Sequence, residues 1–153
     1  MHLSENEVND FLEVMFISPY EMACGIVWFP RMLGKIRMRS QGELPEEYHP
    51  YMGNGFDGRC ARFLGVSYAD IVELTLAGKS DEEVISICFD LGHQPTEEEK
   101  LVWNDFMIKR GWRDSDGGAA SFQAYKERYS HGDRADILTY FDFFEIDEGR
   151  REK

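Results

Sequence analysis

Three cysteines, five prolines and four histidines are all that this 153-residue chain holds of the residues that staple, bend or ligate. Cys24, Cys60 and Cys88 are far apart and odd in number, with no CxxC pair and no Cys/His spacing of the zinc type. That excludes a disulfide framework and suits a reducing compartment, where a buried thiol behaves as a small apolar group. His2, His49, His93 and His131 never fall at helical i, i+4 spacing, so no metal site is expected. The opening MHLSENEVND has neither the basic start nor the apolar stretch of a secretory leader. The longest apolar run, Met22 to Pro30, is too short to cross a bilayer. A cytoplasmic protein with no membrane association is the expectation. Positive charge is also short: 17 Lys and Arg stand against 29 Asp and Glu, a net −12. A field of that sign repels a phosphate backbone, so nucleic-acid binding is not expected.

What the chain has is aromatic and helical. Eleven Phe, seven Tyr and three Trp supply a core without help from metal or disulfide. Helix starts recur as capping boxes at Ser4/Glu7, Ser80/Glu83 and Thr96/Glu99, with weaker relatives at Ser67/Asp70 and Asp133/Asp136. Glycines stand where those helices should stop, at 42, 65, 78, 92, 111, 132 and 149. These signals predict helices over 5–16, 26–41, 56–64, 68–77, 81–91, 97–110, 119–130 and 134–147. Apolar spacing agrees: Val8, Phe11, Leu12 and Met15 share one face, as do Val84, Ile85, Cys88 and Phe89. No stretch alternates with period two between turn signals. The fold expected is an all-α single domain over 1–153, with seven or eight short helices and little or no strand.

Two irregular stretches remain, 43–54 and 113–118. The first carries Tyr48 and Tyr51, which anchor it against the core in the plain reading, or wall a site in the functional one. The second opens like a calcium loop at Asp114 and Asp116. Its sixth position is Ala119 and its twelfth Tyr125, where glycine and glutamate are needed, so the calcium reading fails. There is no nucleophile elbow and no glycine-rich phosphate loop, so neither a catalytic residue nor a cofactor is assigned.

The segment Trp28 to Arg39 stands out. Arg31, Lys35, Arg37 and Arg39 lie within nine residues that contain no acid. Pro30 suits a first helical turn and should force Phe29 extended. Arg31, Lys35 and Arg39 then share a face roughly opposite Phe29, Leu33 and Ile36. Such a stripe is either a solvated face paired with Glu46, Glu47 or C-terminal acids, or a clamp for a carboxylate or phosphate. The C-terminal helix, Ile137 to Ile146, is aromatic around most of its circumference, which favours burial over a dimer contact.

An ordered series of segments carries a family likeness: GIVWFPRMLGKIR at 25–37, Gly42 with Tyr48, FLGV at 63–66, GKSDEEV at 78–84, Trp103-Asn104 and DILTYFDFFEIDEGR at 136–150. Together they resemble a bacterial family described only as a domain of unknown function, number 5069. The chain departs from that pattern at Gly34, where an acid often stands. The resemblance implies one cytoplasmic domain and supplies no activity, cofactor or catalytic residue.

Two functional expectations follow. The first is a non-catalytic binding or protein-interaction domain, with a second copy or another protein as partner. The alternative is a small enzyme or sensor for an anionic metabolite, in which Arg31 and Lys35 clamp the anion and Trp28 and Tyr48 wall the pocket.

Overall fold

The computed structural model describes residues 16–151. They fall into two compact units, each treated by itself below. One is the continuous run Glu21–Trp103; the other draws on both chain ends, residues 16–20 and 104–151.

The middle unit opens with a small antiparallel hairpin, β1 (Met22–Ala23) and β2 (Ile26–Val27), in register Met22↔Val27 and Ala23↔Ile26. Its two turn residues, Cys24 and Gly25, have φ of 47° and 78°. Positive φ at both positions is the primed turn that matches strand twist. This hairpin occupies the start of the predicted 26–41 helix. The helix itself, α1, runs Phe29–Ser40 with Pro30 in its first turn. The departure from regular backbone falls on Trp28 (φ 77°, ψ −34°), and Phe29 is already helical rather than extended. A 3-10 turn, Glu46–Tyr51, orders the 43–54 stretch. The His49 ring bonds the Leu44 carbonyl at 2.8 Å, and Asn54 Nδ2 donates to the Pro50 carbonyl at 2.9 Å. Tyr48 and Tyr51 are half-buried there.

Four helices complete this unit: α2 (Gly55–Leu64), α3 (Tyr68–Leu76), α4 (Asp81–Leu91) and α5 (Glu97–Lys109), the last running past Trp103. Their starts are chemical. The Ser67 hydroxyl accepts from the Asp70 N–H, and Ser80 with Glu83 forms a full capping box. Thr96 and Glu99 exchange the same pair of bonds at 3.0 and 3.1 Å. Each such cap satisfies amides that the helix cannot. At the centre lies α1, which packs on β1, α3 and α4. Phe29, Met32, Leu33, Leu64, Ile71, Val84 and Ile85 are fully buried around it.

The other unit is aromatic. Two helices, α6 (Gly118–Arg128) and α7 (Tyr140–Asp147), meet through Tyr125, whose ring lies 5.2 Å from Tyr140 and 4.9 Å from Phe143. Phe141, Phe143, Phe144 and Ile146 are buried, as the pattern of the last helix led us to expect. That helix starts at Tyr140, six residues later than predicted, with Thr139 as its cap. Asp136 is held bidentately by Arg134 at 2.7 Å, so it is not available to complete a cap with Asp133. The carbonyls of Arg134 and Ile137 meanwhile accept from Lys126 Nζ at 3.1 and 3.2 Å, outside any helix. The ending is pinned by Arg150, which bonds Glu145, buried Glu148 and the Phe16 carbonyl.

The described residues thus contain seven α-helices and one minimal hairpin, a mostly helical fold. The first predicted helix, 5–16, lies outside the described residues apart from Phe16. No described helix is long and apolar enough to cross a membrane.

Candidate functional site

The basic stripe of α1 has a different setting from the solvated face that its spacing allows. With apolar and hairpin neighbours on several sides, α1 leaves room for solvent only near its end. Arg31 and Lys35 are 2% and 4% exposed, while Arg39 is exposed. Lys35 pairs with neither Glu46 nor Glu47. Its Nζ donates to Asp57 Oδ2 at 3.0 Å, from the first turn of α2. Arg37, further along, donates to Asp81 at 2.6 Å and to the Lys79 carbonyl at 3.2 Å.

Asp57 is the centre of this arrangement and is fully buried. Besides the lysine it accepts the Trp28 indole N–H at 2.8 Å on Oδ1 and the Gly53 amide at 3.3 Å on Oδ2. Trp28 carries two cations against its ring face: Arg31 Cζ lies 5.3 Å and Lys35 Nζ 5.1 Å from the centroid. Phe56 packs on the same ring at 4.8 Å. A buried carboxylate and ammonium are tolerated because hydrogen bonds and the ring's negative face replace the water they lost. The same bonds hold Trp28 in a backbone conformation that bulky residues seldom adopt, and such strain concentrates where a structure over-determines a residue.

Three of the four residues singled out from the sequence, Trp28, Arg31 and Lys35, therefore meet on one indole. Tyr48 lies on the 3-10 turn, half-buried. Asp57 and Gly53 escaped the sequence reading. The only trace of Asp57 there is an acid between two glycines, in GFDG, at the start of a helix. The Lys35 ammonium that an anion would seek already donates to Asp57 at 3.0 Å.

Other groups with chemistry in them are engaged. Among the described residues no three His, Cys, Asp or Glu side chains gather as a metal cage. In the 113–118 loop, Arg110 takes the place a cation would have, gripping Asp116 through both nitrogens at 2.8 and 3.0 Å with Asp114 at 3.4 Å. Cys60 and Cys88 are buried, and burial pushes both thiols up, Cys88 to about 11. Cys24 is exposed and donates to Glu82 at 3.0 Å, which also raises its pKa. Neither environment makes a thiolate nucleophile, which needs nearby positive charge and a lowered pKa.

A family model described as a domain of unknown function, DUF5069, matches residues 14–150. No curated protein and no solved structure matches the chain.

Proposed function

The chain belongs to the DUF5069 family, and we propose that it is a non-catalytic binding domain that engages a second protein chain, in the first instance another copy of itself. The observation that supports this is on α5. Leu101 and Val102, adjacent on that helix, are 57% and 60% exposed. Neighbouring residues point about 100° apart on a helix, so the two form one apolar edge. Leu76 and Leu91, at the ends of α3 and α4 in the same unit, are also more than half exposed. Burying one such side chain in an interface stabilises by roughly 1.5–3 kcal/mol. Light scattering across a dilution series tests the reading. Self-association is expected, weakened at least tenfold by Leu101→Glu with Val102→Glu. A wild type that is monomeric at every concentration sinks it.

A second reading, the anionic-metabolite sensor, is supported by the meeting of Trp28, Arg31 and Lys35 on one ring. A carboxylate or phosphate metabolite should raise the melting temperature of the wild type and fail to do so in Arg31→Ala. Equal shifts in both proteins would remove the clamp.

A further inference from the structure

We draw no further inference here: the strongest candidate, the surface patch where the exposed Trp112 and Leu138 flank the backbone bond between Tyr140 and Arg110, is an apolar face, and nothing among the described residues shows what covers it.

Discussion

Asp57 holds the middle unit together at a single point, because Trp28 from the α1 entry, Lys35 from α1 and Gly53 from the loop all donate to it. Asp57→Ala would take from the buried Lys35 ammonium the carboxylate it donates to at 3.0 Å. Such removals cost about 3–5 kcal/mol, so urea denaturation should show a loss of that size. A loss under about 1 kcal/mol would mean the pair contributes little. The sequence made this residue hard to find for a physical reason. A stripe of cations on a helix is neutral as to its surroundings: the same spacing serves a helix that faces water and one enclosed by neighbours. Only the packing of α1 on β1, α3 and α4 decides that Arg31 and Lys35 lie inside. Once they do, an internal acid must accompany them, and nothing local to Asp57 announces that duty.

Elements were far more legible than the residues that join them. Capping is local chemistry, and it located α3, α4 and α5 to within a residue or so at Ser67, Ser80 and Thr96. The failures came where a long-range partner overrode a local signal. Asp133 with Asp136 resembles a helix start, yet Asp136 belongs to Arg134, and the 26–27 segment pairs in a hairpin that is too short to show period-two alternation. Glycine stops had two different causes. Gly78 turns at φ 84° with open space around it, whereas Gly92 lets the end of α4 press on the end of α2. There His93 N–H donates to the Leu64 carbonyl at 2.8 Å, and a methyl on Gly92 would sit 2.1 Å from that same oxygen. Gly78→Ala should therefore cost only about 1–2 kcal/mol, the usual charge for a left-handed alanine. Gly92→Ala must move a helix end and should cost clearly more, as thermal melting of the two variants would show. Equal losses would contradict the contact.

On the scale of the whole molecule, the alkaline side is where stability should fail first. Cys60, Cys88, Tyr20, Tyr68 and Tyr140 all have pKa values raised mainly or partly by burial. A raised folded-state value means that the folded chain holds these protons more tightly than the unfolded one. Their contribution is complete below the unfolded thiol value of 9.0 and is lost as pH climbs through the folded values. For Cys88, raised to about 11, the loss is on the order of 2 kcal/mol. The net charge of −12 adds growing self-repulsion over the same range. Melting temperatures should hold steady near pH 8 and fall steadily from pH 9 to pH 11, with a smaller fall in Cys88→Ala. A flat profile would contradict the burial of these groups.

The division of the chain also sets an order of events during synthesis. The middle unit is one unbroken run, so everything it needs has been made once Trp103 has left the ribosome. The other unit cannot close then, because the Phe16 carbonyl must wait for Arg150, 134 residues later, to complete its bond. A growing chain would carry one finished unit and one unfinished until Arg150 is made.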